Sequence, residues 1–214
     1  MSFGTELEHL LPLNIPNRSA LISLEAKHLT LVQETNRVMN LTRITSPREA
    51  VLKHVLDSVI PWRFFARAAR VLDVGTGAGF PGIPLAIVFP EMQFVLAESV
   101  QKKARFVETA VEALELANVT VEARRAEEIL KVEFFDIITA RAIAPLERAL
   151  TLFHDTLSKG SRALLYRGPD AAAEIAGAAK QLKRWRARAS VVSQYILPDG
   201  TGSRSLVEIS QDPD

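Results

Sequence analysis

The twelve residues Val71-Leu72-Asp73-Val74-Gly75-Thr76-Gly77-Ala78-Gly79-Phe80-Pro81-Gly82 limit what this chain can fold into more than any other segment. An apolar run with the character of a buried strand enters a turn holding four glycines, and the apolar stretch 83–89 after it reads as a helix. Glycines at such a turn accept positive φ and let the backbone approach a ligand closely. In an open α/β sheet, that ligand lies beyond the carboxyl ends of the strands.

The rest of the chain supplies the sheet. Short apolar runs at 71–74, 94–97, 119–123, 135–139, 163–166 and 191–197 alternate with stretches expected to be helical at 83–89, 102–116, 145–157 and 170–184. Such alternation predicts βαβ units, and right-handed crossovers put helices on both faces of a parallel sheet. The end departs from the pattern. Runs at 190–197 and 204–210 are separated by Pro198-Asp199-Gly200-Thr201-Gly202-Ser203, too short for a helix, so they should pair antiparallel as a hairpin.

Upstream, Leu21, Leu24, Leu29, Leu31, Val32 and Val38 fall mostly at helical spacing within 17–39. Ser46-Pro47-Arg48-Glu49 offers a cap serine, a proline at the first helical position and a glutamate three residues after the cap, which starts a second helix running to about Ile60. The expected division is a helical region over 1–65 and an α/β domain over 66–214. The 214 residues are enough for one domain and an appendage at roughly 150 per domain.

Composition removes several chemistries. With no cysteine there is no disulfide framework, thiolate metal site, iron–sulfur cluster or cysteine nucleophile. His9, His28, His54 and His154 show no metal-ligand spacing, so no metal is expected. The balance of 26 Lys and Arg against 25 Asp and Glu is that of an ordinary globular protein. No apolar run reaches the ~18 residues of a membrane helix, and MSFGTELEHLLPL carries two glutamates where a secretory signal is basic, so a cytoplasmic, membrane-free protein is expected.

Three cofactors compete for the glycine turn. A nucleoside triphosphate needs Lys and Ser or Thr after the last glycine, where Ile83-Pro84 stand. A dinucleotide is a closer rival, because Gly77-x-Gly79-x-x-Gly82 is followed by the acidic Glu98. Charge separates the remaining two. Asp73, two residues before Gly75, would repel a pyrophosphate but suits S-adenosylmethionine, which carries a sulfonium and an ammonium. Glu98 can accept both ribose hydroxyls in either case. The plainer alternatives are that Asp73 only caps the turn and that Glu98 is a solvated strand-end acid.

At these residues the sequence resembles the RsmG family, also called glucose-inhibited division protein B. The resemblance runs through Asn40-Leu41-Thr42, His54-Val55-Leu56-Asp57-Ser58, the block Asp73–Pro84, Glu98-Ser99-x-x-Lys102-Lys103, Asn118-Val119, Arg125-Ala126-Glu127, Arg141-Ala142 and Ala144-Pro145-Leu146. It implies a Rossmann-like, S-adenosylmethionine-dependent methyltransferase fold, a seven-stranded mixed sheet with the last strand antiparallel. It also implies methylation of guanine N7 in 16S ribosomal RNA, alone or in the small ribosomal subunit, by a monomer. Carried onto this chain, Gly75 and Phe80 line the methionine and ribose part of the cofactor, Glu98 holds the ribose, and Ala126 and Glu127 meet the adenine. Gly77 and Gly79 complete the cradle. Arg141 lies beside the methyl-transfer position, and Arg167 stands where the family usually has lysine, making these two the catalytic candidates. Position 140, usually serine, is Ala140.

The chemistry agrees with the residues present. Guanine N7 has an in-plane lone pair and no proton, so methyl transfer to it needs positioning and exclusion of water rather than a general base. Cytosine C5 transfer usually needs a cysteine, and exocyclic amine transfer an Asn/Asp-Pro-Pro-aromatic loop, where this chain has Thr139-Ala140-Arg141-Ala142. The plainer role for Arg141 is an ion pair with Asp136 or Glu147. His54, Asp57 and Ser58 can share one helical face like a relay, or simply hydrogen-bond the N-terminal helices to the sheet domain.

Three basic clusters are candidate RNA contacts: Lys180 to Arg188, Lys102-Lys103-x-Arg105, and Arg63, Arg67 and Arg70 beside Trp62, Phe64 and Phe65, aromatics that suit helix packing as well. Two other readings remain: a nicotinamide (NAD(P))-dependent oxidoreductase and a cofactor-sensing RNA-binding module without catalysis.

Overall fold

In a computed structural model, residues 2–44, 46–141, 143 and 145–212 are described. Seven strands, β1 Arg70–Val74, β2 Gln93–Ala97, β3 Val119–Glu122, β4 Ile137–Arg141, β5 Arg162–Arg167, β6 Ala187–Leu197 and β7 Gly202–Gln211, form one sheet in the order β3-β2-β1-β4-β5-β7-β6. The first five are parallel, and β7 runs antiparallel between β5 and β6. This is the expected mixed sheet with its terminal hairpin. The order reverses at β1, whose two neighbours β2 and β4 diverge, so a crevice opens at the carboxyl ends of these strands.

Side-chain alternation sorts the core onto the two faces. Val71, Phe94, Leu96, Ile137, Leu164 and Tyr166 face one layer, formed by α5 (Gly82–Val88), α6 (Gln101–Ala113) and the N-terminal helices. Leu72, Val95, Ile138 and Leu165 face the other, formed by α7 (Ala126–Leu130), α8 (Leu146–Leu157), α9 (Ala171–Gly177) and α10 (Ala179–Arg184). The N-terminal helices are α1 (Phe3–Leu10), α2 (Arg18–Met39), α3 (Pro47–Ala50), a π-helical turn Val51–Leu56, and α4 (Asp57–Val59). Their Leu7, Leu21, Leu29 and Val55 share one apolar cluster with the sheet. No helix among the described residues is long and apolar enough to cross a membrane.

Several boundaries differ from the sequence expectations. Helix α1 was not anticipated; Ser2 caps it by accepting from the Thr5 amide, and Leu7 is fully buried. The fourth strand starts at Ile137 rather than 135, because Asp136 turns its carboxylate back to accept from the amides of Ala69 and Arg70, both at 2.8 Å. The stretch 170–184 breaks at Ala178 behind Gly177, a weak helix former. The cap at Ser46 forms as expected, accepting from the Glu49 amide at 3.2 Å.

Candidate active site

A cavity of about 750 Å³ opens at the carboxyl ends of the strands flanking the crevice. Gly75 after β1, Ser99 after β2, Ala126 and Glu127 after β3, and Arg141 and Ile143 at the end of β4 all contribute to its wall. Arg148 and Thr151 of α8 close the far side.

The glycine turn is built for close approach. Gly75, Gly77 and Gly79 take φ of 68°, 64° and 95°. A Cβ at Gly75 would meet nothing within 4 Å, so this backbone faces open space on the cavity side, whereas one at Gly79 would sit 2.5 Å from Ile83 Cδ1. One glycine therefore leaves room for a ligand and the other for the protein itself.

Asp73 holds this turn from within. It is fully buried; Oδ2 accepts from Thr76 Oγ1 at 2.7 Å and from the Gly82 amide at 2.9 Å. Burial pushes its carboxyl up to about 6, although both hydrogen bonds pull the other way. Oδ1 is buried with no hydrogen-bond partner among the described residues. Asp73 does not line the cavity, so the capping alternative describes its contacts, and the expectation of a carboxylate at the cavity mouth is corrected: the turn closes around the side chain.

Glu98 braces the same turn. Its Oε2 accepts from the Gly77 amide at 3.1 Å and its Oε1 from the Val100 amide at 2.9 Å. It is 6 % exposed, which removes the solvated strand-end reading. Of the predicted cofactor residues, Gly75, Ala126, Glu127 and Arg141 line the cavity, whereas Asp73, Gly77, Gly79, Phe80 and Glu98 are not among its lining residues.

Phe80 departs furthest from expectation. Its ring stacks on two imidazoles, His28 at 4.6 Å and His54 at 4.7 Å between centroids. It is a buried plate between the N-terminal helices and the glycine turn rather than a wall of the cavity. His28 also binds the turn directly: Nε2 donates to the Ala78 carbonyl at 2.9 Å, and Nδ1 lies 3.3 Å from Glu25 Oε2. Burial, then the charge of Arg141, pushes His54 down to about 3, so it is neutral near pH 7. Its Nε2 meets Thr42 Oγ1 at 3.1 Å.

Arg141 finds neither anticipated partner. Asp136 is occupied at the start of β1, and Arg141 turns to the N-terminal helices, donating from Nη1 to the Lys53 carbonyl at 2.9 Å and lying 3.7 Å from Asp57 Oδ2. Its guanidinium sits 5.5 Å over the Phe80 ring. Arg167 is on the opposite face of the sheet, where its Nη1 donates to the Ile143 carbonyl and lies 3.5 Å from Glu174. Its Nε and Nη2 are buried without partners among the described residues, and burial lowers its pKa. The two arginines are thus not brought together, because side chains of opposite parity on adjacent strands leave by opposite faces, and only Arg141 of the two lines the cavity.

The His54, Asp57, Ser58 relay does not form: Ser58 Oγ donates to its own helix at the His54 carbonyl. The set instead joins the helices to the sheet, through Tyr195 Oη to Asp57 Oδ1 at 2.9 Å and Tyr166 Oη to the Ser58 carbonyl at 2.6 Å. Phe65 is fully buried, which favours packing for the aromatics at 62–65. In the basic run 180–188, Arg184 lies over Trp185, which stacks on His154.

Sequence reasoning missed His28 and the partners of Arg141. A signal for His28 existed: Glu25 and His28 interrupt the apolar stripe of Leu21, Leu29 and Val32 on the buried side of α2. A polar pair there must be satisfied by something across the interface.

A glycine-turned β1 at the reversal point of a 3-2-1-4-5-7-6 sheet, with its cavity over β1 to β4, defines the S-adenosylmethionine-dependent methyltransferase class of fold. The O-methyltransferase TomG from Streptomyces achromogenes, solved in complex with SAM, shares it: TM-score 0.58 at 15% identity, over 87% of this chain and 90% of TomG. The family model for rRNA small subunit methyltransferase G (GidB) matches residues 22–199. Ribosomal RNA small subunit methyltransferase G of Solibacter usitatus is 56% identical over 98% of this chain and its own full length. That of Carboxydothermus hydrogenoformans is 38% identical over 87% of this chain and 81% of its own. The chain belongs to the rRNA small subunit methyltransferase G family.

Proposed function

We propose that this protein transfers the methyl group of S-adenosylmethionine to N7 of a guanine in 16S ribosomal RNA. The observation that carries the reading is Gly75: a left-handed backbone with no atom within 4 Å of where a Cβ would stand, facing a cavity large enough for a nucleoside-sized ligand. The residues fit the donor. Ala126 and Glu127 offer a wall for adenine after β3. Glu98, already fixed by two amides, keeps lone pairs for ribose hydroxyls. The buried negative Asp73 stands behind the turn without touching the ligand, so it acts through the field and through the turn's shape.

When bound, the donor supplies a methyl group on a positively charged sulfur. The chain's task is then to orient both reactants and exclude water. Arg141 is held on the wall by Lys53 and Asp57, which suits orientation rather than proton transfer. His54, neutral and stacked on Phe80, is a spacer between the helices and the turn. No base is required, because N7 bears no proton. Arg167, with its unused nitrogens beside the β4 loop, supports that loop under the incoming base. The protein works as a metal-free monomer in the bacterial cytoplasm.

Titration calorimetry with S-adenosylmethionine and with NADH separates this reading from an oxidoreductase, and labelled-methyl transfer to small-subunit RNA separates it from a non-catalytic RNA-binding module. Binding of the donor with transfer of label supports it. Preference for NADH, or donor and RNA binding without transfer, overturns it.

A further inference from the structure

Asp57 is a buried carboxylate on which three strands converge. Tyr195 of β6 donates its hydroxyl to Oδ1 at 2.9 Å, while Arg141 of β4 and Arg204 of β7 bring guanidinium nitrogens to 3.7 and 3.6 Å from Oδ2. Of these three, Arg141 also lines the cavity. Arg124, Arg125 and Arg148 line the same cavity, with Arg124 paired to Glu122 and Glu133. A donor with a positively charged sulfur is repelled by each guanidinium left uncompensated there, and a like charge in a half-buried wall changes affinity by roughly tenfold. Burial pushes the Asp57 carboxyl up while Arg141, Arg204 and the Tyr195 hydroxyl favour its charged form, the form that offsets Arg141. The Lys53 carbonyl, 2.9 Å from the same Arg141 nitrogen, fixes the direction of the side chain.

We infer that Asp57 is a positioning residue that holds Arg141 on the cavity wall and neutralises it, so that the site accepts a cationic methyl donor. The inference rests on the proposed reading of the cavity as the donor site. It has a signature that a merely structural role lacks. S-adenosylmethionine and S-adenosylhomocysteine differ by the transferred methyl group, and hence by the charge on sulfur. Loss of neutralisation weakens the first selectively, whereas a general loosening of the site weakens both.

The test is titration calorimetry of the full-length protein with both ligands, for wild type, Asp57→Asn, Asp57→Glu and Arg141→Ala. Asp57→Asn is expected to weaken S-adenosylmethionine about tenfold and S-adenosylhomocysteine less than about threefold. Asp57→Glu, which keeps the charge, restores the ratio of affinities, and Arg141→Ala shifts the ratio the other way, towards S-adenosylmethionine. Equal weakening of both ligands by Asp57→Asn, or an unchanged ratio, overturns the inference. If Asp57→Asn does not fold, Arg141→Ala decides alone, an unchanged ratio again overturning it. A wild-type protein that binds neither ligand contradicts the donor-site reading itself, a result distinct from an unaltered ratio in the variants.

Discussion

His28 Nε2 donates to the carbonyl of Ala78 at 2.9 Å, so a helix outside the α/β sheet holds the middle of the glycine turn. Both groups are buried, and the carbonyl's partner is lost if the imidazole is removed. His28→Ala should cost about 2–4 kcal/mol of stability, from the cavity, the orphaned carbonyl and the unpaired Glu25 together. Chemical denaturation measures this. An unchanged midpoint would mean that the turn does not depend on α2.

Substitution at two glycines should separate ligand binding from folding. Gly75→Ala meets no protein atom, so its stability cost is only that of a left-handed alanine, about 1–2 kcal/mol, while donor affinity falls because the new methyl occupies cavity space. Gly82→Ala drives a carbon into Leu96 Cδ2 and to 2.8 Å from Asp73 Oδ2, so it should lose more stability than Gly75→Ala. Thermal melts and donor titrations on the two variants check the ordering.

Two buried titrating groups give stability opposite pH slopes. The His54 pKa is depressed from 6.5 to about 3, so the unfolded chain takes up the proton first and stability is lost as pH falls through that interval. The Asp73 pKa is raised from 3.8 to about 6, so the folded state takes up the proton first and stability is gained as pH falls from above 6 towards 4. His54→Gln should therefore flatten the acid side of the stability curve, and Asp73→Asn should steepen it between pH 6 and 4. Urea melts at several pH values report both slopes, and parallel curves for wild type and variants would contradict the assignment.

The arginines should respond differently. Arg141→Ala should abolish methyl transfer, with a stability loss of about 1–3 kcal/mol because Asp57 keeps Arg204 and Tyr195. Arg167→Lys discards two buried nitrogens that have no partner among the described residues and retains the charge, so stability should stay within about 1 kcal/mol and transfer should persist. Turnover assays with matched melts discriminate; full activity in Arg141→Ala would remove it from the site.

Much of the fold is legible in the sequence because its signals are local. The glycine turn, the Ser46 cap and the tight connection at 198–203 each declare themselves within a few residues. The site is legible only in part. Asp73 is identifiable as the acid at the strand end, but which way it points depends on how Thr76 and Gly82 close over it. The partner of Arg141 is expected among acids near β4 and lies on a helix far upstream, since only the packed fold brings Asp57 to the sheet edge. Phe80 reads as a pocket residue by position, yet two histidines distant in sequence stack on its ring.

The most direct test is mass spectrometry of 16S ribosomal RNA nucleosides from cells with and without this protein. The account predicts that a single 7-methylguanosine disappears with the protein and returns when it is restored, but not when Arg141→Ala is restored in its place. Identical nucleoside spectra from the two strains would contradict it.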